Sequence, residues 1–271
     1  MKVAFSEVAP DYTNYVFPYH VWGFLEEGEE VGSAYAQGFL PAAYDLSRFY
    51  LTRSVRVDLH QFEETGRTRY VRRRCASIGH ALVPRAAFEV SPEWRELAEK
   101  YYATQEISVE YRRSRFFEML DSPWCTHVMA YTEDDRPAGL VPLFVRDRIV
   151  QYGIPVYDPS LRSISIGYHM MAAALGSLRS AGFGHVYLGS CYTAGDLYKT
   201  RFTGFQFFNG YQWSASRDEL HFFVDRRPEV TGQHFLGSAP YLDAHCDGEP
   251  GRLAGRADVT RLLPYTERKE R

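Results

Sequence analysis

The residues of this chain that are best suited to chemistry form a basic run in its first third. Five arginines and Tyr70 lie between positions 67 and 74. Arg69, Arg72 and Arg73 recur at helical spacing, so one face of a helix could present them together to phosphate groups. The sequence leaves a second interpretation open, in which they form a solvated helix face or pair with the glutamates near the N-terminus.

A phosphate-binding site in this chain must be local, because the chain has no overall basic field. Its 31 lysines and arginines against 34 aspartates and glutamates give a formal net charge of −3. Such a charge does not steer the whole molecule to nucleic acid or to an anionic membrane. Apolar runs stay well short of a membrane span, and no secretory signal is recognisable at the N-terminus. We therefore expect a cytoplasmic protein without a membrane partner.

The elements that would position a site lie in the second half of the chain. Residues 150–158 have the pattern of a strand that is interrupted near Gly153. Ala, Met and Leu residues predict a helix over 167–179, and 185–188 form a short apolar run that ends at Gly189. A strand, a helix and a second strand in this order favour a crossover that packs the helix on a sheet face.

Two helices and a hairpin are predicted upstream of this unit. Ser91 opens the first helix, 109–120 form the second, and the strands 126–132 and 138–146 flank a turn. This order of elements is that of an acyltransferase of the GNAT type, by analogy at the level of fold. The predicted fold class is α/β (α+β), a GNAT-like mixed sheet flanked by helices, with an N-terminal strand and helix region packed on it.

The ends of the chain are predicted to be separate from this central unit. Residues 49–59 alternate like one strand, and 220–224 suggest a further strand. After residue 226 apolar anchors are few, which predicts a loosely held tail or a peripheral wrap. The predicted division is 1–88 for the N-terminal region with the basic run, 89–225 for the transferase domain and 226–271 for the tail.

Cysteine and histidine spacing predicts no metal site. The four cysteines are scattered without a Cys-x-x-Cys pair, which also argues against a disulfide framework. His234, His245 and Cys246 fall in the tail, where no further ligand has supporting spacing.

Three short motifs follow one another in the central stretch: DPSLRSISIGY at 158–168, VYLG at 186–189 and LYKTRF at 197–202. In this order they resemble the C-terminal domain of arginyl-tRNA–protein transferases. The segment FEETGRTRYVRRR at 62–74 is similar to a basic stretch that precedes that domain. The family's N-terminal cysteine cluster has no counterpart here, so the resemblance is to a divergent member.

The resemblance implies a GNAT-like enzyme whose donor is an aminoacyl-tRNA, with no cofactor besides this donor substrate. It further implies that an amino acid, arginine in the family, moves to an amine of a protein or peptide acceptor. The turn at 162–168 is consistent with a donor other than CoA. It has one glycine, whereas a backbone cradle for the CoA pyrophosphate needs several. An acyl-CoA-dependent N-acyltransferase and a non-catalytic GNAT-like binding protein remain as alternatives.

Within this resemblance, Lys199 is the predicted cation near the terminal phosphates or the ribose oxygen, and Tyr198 and Tyr187 are predicted to orient the adenosine or transfer a proton. The residues predicted to bind substrate are Asp158, Arg162, Ser163, Ser165, Gly167 and Gly189. Those predicted to bind tRNA are Arg69, Arg72, Arg73, Arg74 and Lys199. Structural alternatives are a surface position for Lys199, a turn cap for Asp158 and core packing for the tyrosines.

Overall fold

A small antiparallel sheet forms the N-terminal part of the computed structural model, which describes residues 1–7, 10–13, 17–105, 109–225 and 239–249. Its strands are β1 (Lys2–Glu7), β2 (Tyr19–Phe24), β3 (Phe39–Pro41) and β4 (Phe49–Leu51), in the order β1-β2-β4-β3. Helix α1 (Val31–Ala36) precedes β3 and ends just before Gly38, whose φ of +83° suits glycine.

A nine-stranded mixed sheet is the centre of the molecule. Its strands are β5 (Ser54–Asp58), β6 (Ile78–Pro84), β7 (His127–Glu133), β8 (Arg136–Arg146), β9 (Ile149–Tyr152), β10 (Val156–Tyr157), β11 (His185–Ser190), β12 (Phe205–Phe208) and β13 (Trp213–Ser214). The order is β13-β12-β5-β11-β9-β8-β7-β6, and β10 pairs with β8. The pair β9 and β11 is parallel, whereas the other pairs are antiparallel.

Helices cover both faces of the large sheet. They are α2 (Gly66–Arg74), α3 (Pro92–Tyr102), α4 (Val109–Asp121), α5 (Ile166–Ser180), α6 (Arg217–Val224) and α7 (Ala239–His245). Helix α5 is the crossover between the parallel strands β9 and β11, as the strand–helix–strand pattern predicts. The predicted fold class, a mixed sheet flanked by helices with the N-terminal elements packed on it, is confirmed.

Two hydrophobic cores lie on opposite faces of the sheet, because successive residues of a strand point in opposite directions. The first core joins α2, α5 and α6 and contains Met129 and Tyr131 of β7. The second core joins α3, α4 and the small sheet and contains Val128 and Ala130 of the same strand. The predicted boundary at residue 88 runs through the large sheet, since β5 and β6 precede it.

The prediction of one strand over 49–59 is wrong. The chain changes sheets at Thr52 and Arg53, so β4 belongs to the small sheet and β5 to the middle of the large one. The guanidinium of Arg53 lies 4.9 Å from the ring centroids of both Tyr192 and Phe223, which fixes the junction. Apolar and polar residues alternate through both strands, so the sequence pattern does not reveal where the chain passes from one sheet to the other.

The prediction of a strand over 220–224 is also wrong, because α6 is a helix. The Ser216 side chain accepts a hydrogen bond from the Glu219 amide at 3.1 Å and caps its N-terminus. Leu220 and Phe223 are buried at helical spacing. Residues 226–238 and 250–271 of the predicted tail, His234 among them, lie outside the described residues. Within α7, Tyr241 donates a 2.7 Å hydrogen bond to Glu219.

Candidate functional site

The parallel strands β9 and β11 separate at their carboxyl ends. Their last paired residues are Gln151 and Tyr187. Beyond them the chain leaves β9 for β10, which pairs with β8, while β11 continues along β5 to Ser190. Gly189, at φ +82°, allows the irregularity in β11 at this point. Ligands of open α/β sheets bind where neighbouring parallel strands diverge, so this opening is the natural place for a site.

Lys199 lies beside this opening and is not a surface lysine. It belongs to the 3-10 helix Ala194–Arg201 and is only 8% exposed. Its Nζ donates to the Ser190 carbonyl at 2.5 Å and to Asp196 Oδ1 at 3.2 Å. Burial opposes ionisation of Asp196, but the Lys199 charge and hydrogen bonds from residues 192 and 193 lower its pKa. An ammonium has three N–H donors, and two have described protein partners.

Several tyrosines are electrostatic neighbours of Tyr198, which precedes Lys199 in the chain. The rings of Tyr101 and Tyr157 meet edge to face at 4.8 Å, and the Lys199 ammonium lies 5.7 Å from the Tyr198 ring centroid. Tyr198 is 40% exposed, yet burial of its hydroxyl end and the nearby Asp196 raise its pKa to about 12. A phenol with this pKa stays protonated at neutral pH, so Tyr198 is a hydrogen-bond donor. We call the group of Tyr101, Tyr152, Tyr157, Tyr198 and Lys199 the tyrosine cleft.

Tyr152 is the last residue of β9 and carries a buried polar group. Its hydroxyl is buried and has no hydrogen-bond partner among the described residues. Burial raises its pKa, and its electrostatic neighbours include Tyr131, Tyr198 and Tyr101. A buried hydroxyl without a partner costs about 1–3 kcal/mol, so Tyr152 holds an unused hydrogen-bonding group at the end of β9, where its ring packs in the first core.

Asp158 caps the turn that leads to α5. Its Oδ1 accepts hydrogen bonds from the Ser160 amide at 2.8 Å and the Ser160 hydroxyl at 2.7 Å, and its Oδ2 accepts from Lys100 at 2.9 Å. Burial works against ionisation, but these bonds outweigh it and lower the Asp158 pKa. The turn-cap interpretation therefore fits, and the carboxylate is engaged with Lys100.

The remaining predicted substrate residues line the start of α5. Arg162 is exposed and donates to the Thr104 hydroxyl at 2.7 Å, and Ser163 is exposed as well. The amide of Ser165, another residue predicted to bind substrate, donates to the Arg162 carbonyl at 2.9 Å. Gly167 lets the Tyr157 ring approach, since a Cβ there would stand 3.3 Å from the ring. Gly167 thus positions a wall of the tyrosine cleft.

Tyr187 is a buried tyrosine with aromatic neighbours. It lies in the second core, with its ring 4.9 Å from Tyr35 and 5.8 Å from Trp213. Its hydroxyl accepts a weak hydrogen bond from Arg56 at 3.4 Å. Packing of this kind is the structural alternative that the sequence left open for tyrosines.

The basic run is the exposed surface of α2, and its arginines differ in their contacts. Arg69 donates to the Glu64 carbonyl at 2.7 Å, and Arg72 pairs with the Glu64 carboxylate at 3.0 Å. Arg74 lies 5.9 Å from the Tyr70 ring, and Arg73 is exposed. The N-terminal end of α2 meets α5 through the 3.1 Å hydrogen bond between the Thr68 and Tyr168 hydroxyls.

Cysteines and candidate metal ligands stay apart in the described part of the chain. All four cysteines are buried free thiols. Among the residues that the structure describes, no group of three or more His, Cys, Asp or Glu side chains is arranged to hold a metal ion. The same described residues contain no helix that is both long and apolar enough to cross a membrane.

Several residues of the cleft escaped the sequence analysis. Tyr101, Tyr152 and Tyr157 lie in segments that read as helix or strand, where tyrosine is common in cores. Asp196, three residues before Lys199, carries a signal that could have been used, because oppositely charged side chains at this spacing meet on one helical turn. Lys100 is 58 residues from Asp158 in sequence, so only the fold joins them.

Comparison with known proteins finds one curated relative of clear relevance. An aspartate/glutamate leucyltransferase from Ruegeria pomeroyi is 28% identical over 178 residues, which are 62% of this chain and 64% of the relative. The match therefore spans less than two thirds of the relative's length. No family model matches the chain.

Similar solved structures include two with transferase-related descriptions. One is the C-terminal domain of a putative lysylphosphatidylglycerol synthetase from Agrobacterium fabrum, with a TM-score of 0.40, 15% identity, and coverage of 52% of this chain and 46% of that one. The other is a GCN5-related N-acetyltransferase from Kribbella flavida, with a TM-score of 0.31, 15% identity, and coverage of 54% and 48%.

Proposed function

We propose that this protein is an aminoacyl-tRNA-dependent transferase, which moves an amino acid from tRNA to an amine of a protein or peptide. The observation that carries the proposal is the tyrosine cleft, where a buried, ion-paired lysine lies next to Tyr198 and beside the diverging ends of β9 and β11. The similarity to a leucyltransferase supports the same class of reaction. A cytoplasmic location, where charged tRNA is found, belongs to this proposal.

The proposed reaction needs positioning more than strong acid–base chemistry. The acceptor nitrogen attacks the ester carbonyl, a C–N bond forms, and the bond from that carbon to the ribose oxygen breaks. The acceptor amine gives up a proton, and the ribose oxygen gains one. Because the ester is already activated, holding the two reactants together supplies much of the rate.

Lys199 is proposed to stabilise the negative charge that develops on the ester and ribose oxygens. Its pairing with Asp196 and Ser190 fixes the ammonium beside the Tyr198 ring. A fixed cation in a site that excludes water stabilises such charge without reorganising at the moment of reaction. The Tyr198 hydroxyl, protonated at neutral pH, is proposed to donate a hydrogen bond to the substrate.

The transferred amino acid is proposed to be uncharged. Two described carboxylates border the cleft, and both are engaged: Asp158 with Lys100 and Asp196 with Lys199. An arginine side chain, which the sequence resemblance implied, would have to displace one of these lysines. Leucine, the amino acid in the name of the relative, needs no carboxylate. Leucyl-tRNA is therefore the first donor to test, with arginyl-tRNA beside it.

Binding of donors by the purified full chain tests this proposal. Uncharged tRNA is titrated at low and at moderate salt, with free CoA as a parallel ligand. We expect tRNA binding that falls steeply with salt, since arginines on α2 would replace counterions along the phosphates. Arg73→Ala should weaken binding and flatten the salt dependence, because Arg73 is exposed on α2.

Arg136→Ala serves as the matched control, because Arg136 is exposed at the start of β8 and does not belong to α2. It should bind tRNA like the wild type. Binding of CoA without binding of tRNA would overturn the proposal and return the chain to the CoA-dependent acyltransferases. The Ser165 amide in the turn before α5 donates its hydrogen bond to the Arg162 carbonyl and so is not available to a phosphate of CoA. We therefore expect CoA to bind weakly or not at all.

A further inference from the structure

A second concavity lies away from the tyrosine cleft, between α2, α5 and β6. It has a volume of about 540 Å³, which is within the range of small-molecule sites. Val71 of α2, Ile78 of β6 and Ala172 of α5 supply apolar lining. The ion pair of Glu64 and Arg72 borders it, and these two charges compensate each other. We call this concavity the α2–α5 groove.

The inner part of the groove carries uncharged hydrogen-bonding groups. His169 lines it, is 6% exposed, and its Nε2 has no hydrogen-bond partner among the described residues. Burial lowers the pKa of His169 to about 4, so the ring is neutral and offers one donor and one acceptor nitrogen. Close by on α5, the Ser177 hydroxyl is 2.9 Å from His80 Nε2.

Gly176 keeps the groove open. It lies inside the fifteen-residue helix α5, where glycine costs roughly 0.5–1 kcal/mol relative to alanine. A Cβ on Gly176 would meet nothing within 4 Å, so packing does not require the glycine. The absent side chain leaves space in the groove itself, because Gly176 is one of the lining residues. A side chain at position 176 would therefore project into open space at the groove.

We propose that the α2–α5 groove binds a nucleobase, a flat uncharged heterocycle with donors and acceptors on its edge. The apolar lining from Val71, Ile78 and Ala172 suits the faces of a base, and the His169 and Ser177 groups suit its edge. Proteins that hold an unstacked base use this combination of apolar contacts and edge hydrogen bonds.

The base can come from a free nucleotide or from an unpaired nucleotide of tRNA. The second source rests on the proposed function, and the position of the groove favours it. Helix α2 provides Val71 to the groove and also carries the arginines proposed to bind tRNA phosphates. A backbone held by these arginines would bring its bases next to the groove.

Two binding measurements on the full chain test the inference and separate the sources. The first titrates adenosine, guanosine, cytidine and uridine, and the second titrates uncharged tRNA at two salt concentrations. Both compare the wild type with Gly176→Leu, which fills the groove, and with Gly32→Leu. Gly32 is a matched control, because it lies in α1 and a Cβ there also meets nothing within 4 Å. Melting temperatures verify that each variant folds.

A nucleoside that binds the wild type and Gly32→Leu, but binds Gly176→Leu at least about tenfold more weakly, supports the groove as a base site. The same loss in tRNA binding, with an unchanged salt dependence, identifies a tRNA base as the occupant. Ser177→Ala, which removes one edge group without filling the groove, should weaken the same interaction by a smaller factor.

The inference is overturned when Gly176→Leu folds and binds both the nucleosides and tRNA like the wild type. It is equally overturned when no nucleoside binds and tRNA binding does not depend on the groove. Failure of the proposed function gives a different result. In that case tRNA binds none of the proteins, while the nucleoside titrations still report on the groove.

Discussion

The second core and the tyrosine cleft use the same residue type in opposite ways. In the second core, Tyr187 packs against Tyr35 and Trp213, and its hydroxyl has a partner in Arg56. In the cleft, Tyr198 is partly exposed and the Tyr152 hydroxyl is buried without a described partner. Tyr187 therefore stabilises the fold, whereas Tyr198 keeps an exposed hydrogen-bonding surface, and Tyr152 packs its ring in the first core while its hydroxyl stays unused.

Replacing Tyr187 should give the largest effect on stability. Tyr187→Ala empties a position in the second core and should lower the free energy of unfolding by about 3–5 kcal/mol, as for other large aromatic side chains. Urea denaturation measures this loss. Tyr187→Phe is the control and should stay close to the wild type, since its only loss is the 3.4 Å bond from Arg56. If Tyr187→Phe kept its stability but lost transfer activity, the distinction between core and cleft would be wrong.

Removing Lys199 should give the largest effect on transfer. We expect Lys199→Ala to lower the rate constant for transfer by about 100-fold, similar to the removal of one charge-stabilising group in other enzymes. Single-turnover kinetics with charged tRNA measures the effect. Lys100→Ala is the matched control, because it also breaks a lysine–aspartate ion pair. In the wild type, Lys100 lies 2.9 Å from Asp158 in the turn before α5. Equal losses of the transfer rate constant in the two variants would mean that Lys199 has no special role in the reaction.

Tyr152→Phe should separate stability from activity. Removing a buried hydroxyl that lacks a partner should raise the free energy of unfolding by about 1 kcal/mol. The same change should reduce transfer by about tenfold if the hydroxyl binds the substrate, a loss that corresponds to about 1.4 kcal/mol. Thermal unfolding and transfer are measured on the same preparation. A fall in stability would mean that the hydroxyl has a partner in the folded protein.

Replacing Asp158 should give the smallest effect on stability, and the size of this effect should depend on pH. Its folded-state pKa lies below the ordinary value of 3.8, because hydrogen bonds from Lys100 and Ser160 outweigh burial. A lowered pKa adds stability above the unfolded-state pKa, and this stability is lost as the pH falls through the folded-state value. Asp158→Asn should therefore be less stable than the wild type near neutral pH, and equally stable well below 3.8. A difference that persisted in acid would contradict the ionised cap.

Regular patterns made the central unit predictable. The crossover helix, the hairpin and the helix opened by Ser91 follow from periodicity and capping. The two wrong strands have physical causes. Alternation over 49–59 continues across a change of sheets, and the apolar run at 220–224 lacks the length that separates a strand from a helix.

The site was less predictable than the fold, because it depends on which face a side chain occupies. Motif order singled out Lys199 and Tyr198, which the structure brings together with Asp196. The same motifs included Tyr187, which lies in the second core. Tyr101 and Tyr152 are far apart in sequence and join the cleft only through the pairing of the strands and the packing of α3. Such convergence leaves no periodic signal in one sequence.

Transfer from charged tRNA tests the central claim most directly. Leucyl-tRNA and arginyl-tRNA labelled in the amino acid are incubated with the protein and with peptides that differ in their first residue. We expect label in a peptide, a preference for leucine over arginine, and loss of transfer in Lys199→Ala but not in Lys100→Ala. A protein that binds tRNA tightly but transfers neither amino acid to any peptide would contradict this expectation.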